Sequence, residues 1–296
     1  NGMLDWATGE LKAHDPSYAS TVQMQVGYDP ATTCPVFEAF LADVMHEDYV
    51  TLAWEMIGYL MFSGNPLQVA FMLYGHGGNG KGTLLRVIQD LLGHGNVANE
   101  SLDQLNTSTF SSVNLYGKIA NIAGDIDSTY QESTATFKKL VGEDMIGAER
   151  KFGARFQFEN WAVPVFSANK FPGSSDVTDG YLRRWVVLHF HKKIKDADKI
   201  IGFSDILARE LPGIAAKAVS RLPGLLERGR FAPEGEATKG IEEFAEAIDQ
   251  VRQWVASGTP LQAPEGSGSL TDLYASYALW AERSGRRKVT EVEFSH

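Results

Sequence analysis

The sequence predicts an α/β protein, a parallel sheet with flanking helices, plus an N-terminal helical region and a small C-terminal piece. Three observations predict it. Residues 69–195 alternate short apolar runs with helical stretches, the pattern of strands joined by crossover helices. One of those runs, Phe71-Met72-Leu73-Tyr74, feeds a glycine-rich loop that opens into a helical pattern. The flanks on both sides carry apolar residues at helical spacing instead. Four segments follow: 1–68, 69–195, 196–237 and 238–296.

Taken in order, residues 1–68 open with turn-forming pairs, Asn1-Gly2 and Asp29-Pro30, and then show two helical faces. The first is Phe37, Phe40, Leu41 and Val44; the second is Leu52, Met56, Tyr59 and Leu60. Four strands are expected at Val69–Tyr74, Ile119–Ala123, Val163–Ala168 and Trp185–Phe190, with Pro164 at a strand start because it donates no ladder hydrogen bond. Residues 205–228 read as a helical lid interrupted at Leu211-Pro212-Gly213. Beyond Pro233-Glu234-Gly235, the residues Ile241, Phe244, Ile248, Val251 and Val255 share one helical face. A Gly/Pro/Ser-rich loop at 258–269 precedes a last helix bearing Leu273, Tyr277 and Trp280, capped by Ser269-x-x-Asp272. The chain starts at Asn1 and stops at His296, shortly after a capping pattern, Thr290-x-x-Glu293, so further domains are expected on either side.

Gly75-His76-Gly77-Gly78-Asn79-Gly80-Lys81-Gly82-Thr83 has the spacing of a phosphate-binding P-loop, G-x-x-x-x-G-K, in the strand–loop–helix context that motif requires. Glycines let successive backbone N–H groups turn inward on phosphate oxygens, the helix N-terminus adds positive potential, and the Lys81 ammonium reaches the β- and γ-phosphates. Gly75, Gly77, Gly78, Asn79, Gly80, Lys81, Gly82 and Thr83 are therefore expected to hold ATP. One position departs from the pattern: Gly82 stands where a Ser or Thr hydroxyl would ligate Mg²⁺. Thr83 or a water takes that role.

A second strand should end in a carboxylate that holds Mg²⁺ and orients the attacking water. The segment 118–127 supplies Asp125, with Asp127 two residues on and so able to share its direction. Thr83 and Asp125 are the expected metal ligands. The third strand ends at Ala168-Asn169, where an amide can hydrogen-bond both a γ-phosphate and the attacking water. Arg183-Arg184 precedes the last strand, and a guanidinium there can stabilise transition-state charge across a subunit boundary.

In this order the segments resemble the superfamily 3 helicases of the phage, plasmid and poxvirus primase-helicase group, over nearly the whole chain. Asn1 to Asp5 and Tyr28-Asp29-Pro30 resemble that group's N-terminal helicase-associated region. Gly78-Asn79-Gly80-Lys81 is similar to its Walker A motif and 121–125 to its Walker B. Segments 137–144 and 149–152 resemble its additional motif, 166–169 its sensor, and Arg183-Arg184-Trp185 its finger segment. Glu210-Leu211-Pro212-Gly213-Ile214 and the terminal helices also resemble that group's downstream pattern.

The resemblance implies an AAA+-like ATPase module and a ring, usually hexameric, that binds ATP between subunits and translocates on single-stranded or forked DNA. Lys151-Phe152 falls at that family's DNA-contacting hairpin tip, where an ammonium pairs with phosphate and an aromatic stacks on a base. Arg150 and Arg155 add charge beside it. The last segment reads as a winged-helix-like piece cut short, and a primase or polymerase domain is expected in the full-length protein.

Composition constrains this reading without deciding it. The net charge of −10 argues against a broadly basic DNA-coating surface but not against a channel lined by a few cations per subunit. The lone cysteine, Cys34, excludes an internal disulfide and reads as a small buried apolar group. No apolar run is long enough to cross a bilayer, so a cytoplasmic protein of a bacterial or phage-infected cell is expected. Two other classes share the phosphate loop. A small-molecule kinase is disfavoured by the hairpin and Asn169, and an ATP-dependent initiator or assembly scaffold differs in separating no strands.

Overall fold

The computed structural model describes residues 2–124, 134–142, 144–150, 153–174, 176–258, 269–284 and 288–295. It is an α/β protein on a five-stranded parallel sheet. The chain opens with a two-residue ribbon, β1 (Met3–Leu4) against β2 (Leu11–Lys12), and an extended stretch that leads to α1 (Pro35–Val44) and α2 (Glu47–Met61). Pro35 starts α1 where its missing N–H costs nothing. Glu47 and Asp48 complement the amino end of α2. Both expected apolar faces are buried, and so is Cys34, whose thiol is pushed up to about 12 by burial.

The central strands are β3 (Ala70–Tyr74), β4 (Val97–Ala98), β5 (Ala120–Ala123), β8 (Val163–Ala168) and β9 (Trp185–His189), in the order β4-β5-β8-β3-β9. All four expected strands are present within a residue of their expected ends. Their near-continuous apolar runs fit a sheet covered on both faces. Pro164 is second in β8, at its start, as its chemistry requires. Helix α3 (Lys81–Leu92) crosses from β3 towards β4, and α4 (Leu102–Thr107), opened by a Ser101–Gln104 capping box, and α5 (Thr109–Val113) lead to β5. Helix α6 (Ala135–Val141) precedes an antiparallel hairpin, β6 (Met145–Glu149) with β7 (Arg155–Glu159). The single turn α7 (Asp179–Leu182) precedes β9.

One face of the sheet packs on α1, α2, α3, α8 (Phe203–Arg209) and α9 (Leu211–Arg228); Phe71 and Leu73 point that way. The other face, with Ala70 and Met72, packs on α6, the hairpin and α10 (Glu236–Ile248). Helices α2 and α9 cross so closely that a Cβ on Gly58 would sit 2.4 Å from the Ala218 carbonyl oxygen. The first helices and α9 therefore share one core with the sheet.

Two expectations are corrected. The break in the 205–228 segment is at Glu210, not at Leu211-Pro212-Gly213, which forms the first turn of α9. Proline suits that position, and Gly213 serves a close approach, since a Cβ there would lie 2.2 Å from the Thr33 carbonyl oxygen. Glu210 itself caps α1, its carboxylate accepting from Val36 N at 3.0 Å and Phe37 N at 2.8 Å. The second correction concerns the single helical face expected from Ile241 to Val255. Asp249 ends α10 and caps α11 (Gln250–Ala256) by accepting from Arg252 N at 2.9 Å, which leaves Val255 exposed.

Helix α12 (Leu270–Arg283) has the expected Ser269–Asp272 capping box, and α13 (Glu291–Phe294) follows it. Trp254, Tyr277 and Phe294 make a small separate cluster. Among the described residues of 238–296, every regular element is a helix. Among the described residues, no helix is long and apolar enough to cross a membrane.

Candidate functional site

The glycine-rich loop leaves the carboxyl end of β3, where its flanking strands also end. Tyr74 pairs with Ala168 on one side and His189 on the other, so Asn169 lies beside the start of the loop. Ligands of open α/β sheets bind in crevices at such carboxyl ends. Gly75 has φ 147°, and a Cβ there would lie 2.4 Å from both Asn79 Nδ2 and the Phe190 carbonyl oxygen. Gly80, at φ 94°, turns the chain into α3, and a Cβ there would meet the Phe40 ring at 3.0 Å and Val44 at 3.2 Å. Only glycine satisfies both positions.

A strap after β9 holds the outer edge of the loop. Asn79 Nδ2 donates to the Phe190 carbonyl at 3.3 Å, and Ile194 N donates to the Gly78 carbonyl at 2.8 Å. Phe40, Val44, Phe190 and Ile194 thus shape the loop, yet they carry no motif by which sequence alone would single them out.

Lys81, in the first turn of α3, is 5% exposed. Its ammonium donates to the carbonyls of Gly75 and His76, to Asn79 Oδ1 at 3.2 Å and to Asn169 Oδ1 at 3.0 Å. A buried ammonium is stable only with such partners. The ammonium and the positive end of α3 lie side by side, and both favour an anionic oxygen. The structure therefore brings Asn169, from the end of a separate strand, to Asn79 and Lys81 of the glycine-rich loop. Asp125 and Asp127 lie outside the described residues, beyond the end of β5 at Ala123.

Gly82 and Thr83 are the next two residues of α3, Gly82 exposed and Thr83 half-buried. Nothing lies within 4 Å of a Cβ built on Gly82, so the backbone there accepts a Cβ without displacing a neighbour. If the loop holds ATP with Mg²⁺, Gly82→Thr is expected to lower the Mg²⁺ concentration for half-maximal turnover by about threefold or more. A Mg²⁺ titration checks it, and an unchanged or raised requirement would show that a hydroxyl at 82 adds no ligand.

The two arginines occupy the other end of the sheet. Ala70 N donates to the Arg184 carbonyl at 2.7 Å, beside the first residue of β3. Five residues of β9 at about 3.3 Å each separate that end from the loop, roughly 16 Å, beyond the reach of an arginine side chain. Neither arginine reaches the loop of its own chain. Arg183 is exposed, whereas Arg184 is half-buried and its guanidinium turns back on the Gly180 carbonyl. Burial lowers the Arg184 pKa, and Arg183 adds to the effect.

Between Asn169 and Arg183 the chain makes a polar loop organised by Asp176. Burial alone would push the Asp176 carboxyl up, but hydrogen bonds from Lys138, Thr134 and Thr178 outweigh it and bring it down to about 2. This depressed value means the contacts stabilise the fold above the ordinary carboxylate range and are lost as pH falls towards 2. On the far side of the loop, burial lowers His189, which packs between the Tyr49 and Tyr74 rings; Glu243 opposes the shift, while His191 and His76 add to it.

The hairpin presents Arg150 over the Phe156 ring at 5.6 Å and pairs Arg155 with Glu149 across the strands at 2.9 Å. Lys151 and Phe152, between those strands, lie outside the described residues.

Residues 73–184 match the model of a family described as being of unknown function, DUF5906, and residues 1–46 match one described as D5 N terminal like. No curated protein matches the chain. Among solved structures it is similar to the A form apo structure of the NrS-1 C terminal region, with a TM-score of 0.60 and 14% identity, over 96% of this chain and 73% of that one. Another apo structure of that region gives 0.57 at 14% identity, over 96% and 73% of the two chains. A second A form structure gives 0.56 at 15%, over 88% and 70%. At these identities the likeness is one of fold.

Proposed function

We propose that this chain is the ATP-hydrolysing motor of a DNA-replication protein of the phage or plasmid type, acting as a ring on single-stranded DNA. The observation that carries the reading is the Lys81 ammonium, buried within the glycine-rich loop and hydrogen-bonded to Asn169 from the adjacent strand. The D5-N-terminal-like match and the fold shared with the NrS-1 region support it.

In this reading the loop amides and Lys81 bind the phosphate tail of ATP, and Asn169 orients the water that attacks the γ-phosphate. Asp125, with Asp127, takes up the proton of that water. Thr83 and Asp125 would hold Mg²⁺, which neutralises charge on the phosphates when bound. An arginine of the neighbouring subunit completes the site, and Arg183 is the better placed because Arg184 is turned inward. Hydrolysis moves the hairpin, and Lys151 and Phe152 pull one strand along by phosphate pairing and base stacking.

ATP turnover with and without single-stranded DNA, alongside the mass in solution, tests the reading. Stimulation of about tenfold, lost in Lys151→Ala, is expected together with a ring-sized mass. Phosphorylation of an added small molecule would mark a kinase instead. Binding of ATP and DNA with no strand displacement would mark an assembly scaffold.

A further inference from the structure

The Asp176 carboxylate reaches in two directions. One oxygen, Oδ2, accepts from Lys138 Nζ at 2.6 Å and from the Thr134 hydroxyl; both donors belong to α6 and the residue before it. The other, Oδ1, accepts from Thr178 N at 3.1 Å and the Thr178 hydroxyl at 2.6 Å. Thr178 is the N-cap of α7 and Arg183 its C-cap, whose N–H donates to the Asp179 carbonyl at 3.0 Å. Ser174 braces the same loop, its hydroxyl accepting from Asp176 N at 3.1 Å. The side chain is 14% exposed, so these hydrogen bonds are little weakened by solvent.

A one-turn helix has almost no stability of its own. The direction in which α7 presents Arg183 must therefore be set from outside: the buried Tyr181 ring packs α7 on Phe137 of α6, and Asp176 ties its N-cap, Thr178, to the amino end of the same helix. We infer that Asp176 is a positioning residue for Arg183: it holds the guanidinium in the attitude that serves a neighbouring subunit's ATP, and it has no role at its own subunit's ATP. This inference rests on the proposed function and assigns a residue that the motif reading passed over.

A residue needed only for the fold, or for its own site, cannot be rescued by another subunit, whereas one that only aims a finger can. Asp176→Ala is expected to lower kcat by about tenfold or more, with the ATP KM within about twofold, because a finger acts on the transition state. Mixing it with Lys81→Ala then creates interfaces that pair an intact loop with a well-aimed arginine. Turnover should rise severalfold above either protein alone, as it should for Arg183→Ala treated in the same way. If Asp176→Ala does not assemble, Asp176→Asn keeps the shape, removes the ion pair with Lys138 and is read in the same mixture. A wild-type chain that does not hydrolyse ATP overturns the motor reading and this one with it. A wild type that does, beside an Asp176 variant with unchanged kcat or with a loss that no mixing restores, overturns the positioning role alone.

Discussion

Lys81→Ala is expected to abolish ATP turnover, with kcat/KM falling by about a thousandfold or more. The lysine is the only ammonium that the described residues place inside the glycine-rich loop, and its hydrogen bonds link that loop to the adjacent strand through Asn169. Alanine removes the positive charge from a buried place and also leaves the Gly75 carbonyl and Asn79 Oδ1 without that donor. Loss of nucleotide binding and loss of transition-state stabilisation therefore combine. Turnover measured over a range of ATP concentrations, with a melting curve to show that the variant folds, checks the result. Hydrolysis at the normal rate would remove the loop from the chemistry.

Arg183→Ala is expected to be almost as severe, about a thousandfold in kcat, because a guanidinium delivered to a γ-phosphate offsets charge that develops in the transition state. On the proposed reading, the position of the residue makes this effect wholly intermolecular. Arg183 sits at the amino end of β9, and the loop lies at the carboxyl end of the neighbouring β3. Arg184→Ala should differ in kind, since that side chain hydrogen-bonds the Gly180 carbonyl and is half-buried: its loss should appear in the melting temperature more than in kcat. Steady-state kinetics of both variants separate the roles. Normal kcat in Arg183→Ala would discard the finger assignment.

Local features of the fold were legible in the sequence because local chemistry specifies them. An apolar run, four glycines at fixed spacing and a following helical pattern can hardly form anything but β3, the loop and α3. Asn169 was legible for the same reason, as a polar amide at a strand end. Its hydrogen bond to Lys81 was not, because that depends on β8 pairing beside β3, and strand order is fixed by partners far apart in the chain. The break at Glu210 was misplaced because its cause is tertiary: the carboxylate leaves its own helix to cap α1, more than 170 residues earlier in the sequence. The division at Asp249 was hidden by a periodicity that runs on through it, although an aspartate three residues before Arg252 is a capping signal in its own right. Asp176 was invisible for another reason. An acidic residue in a polar loop looks solvated until Lys138 and Thr134 are brought to it from 38 and 42 positions away.

Lys81 and Arg183 occupy opposite ends of one rigid sheet, and that spacing has a consequence for the cell. On the proposed reading, a solitary copy holds two unmatched halves and no whole machine. Fuel use then climbs more steeply than the amount of protein until closed assemblies dominate, and scarcity alone keeps stray copies idle.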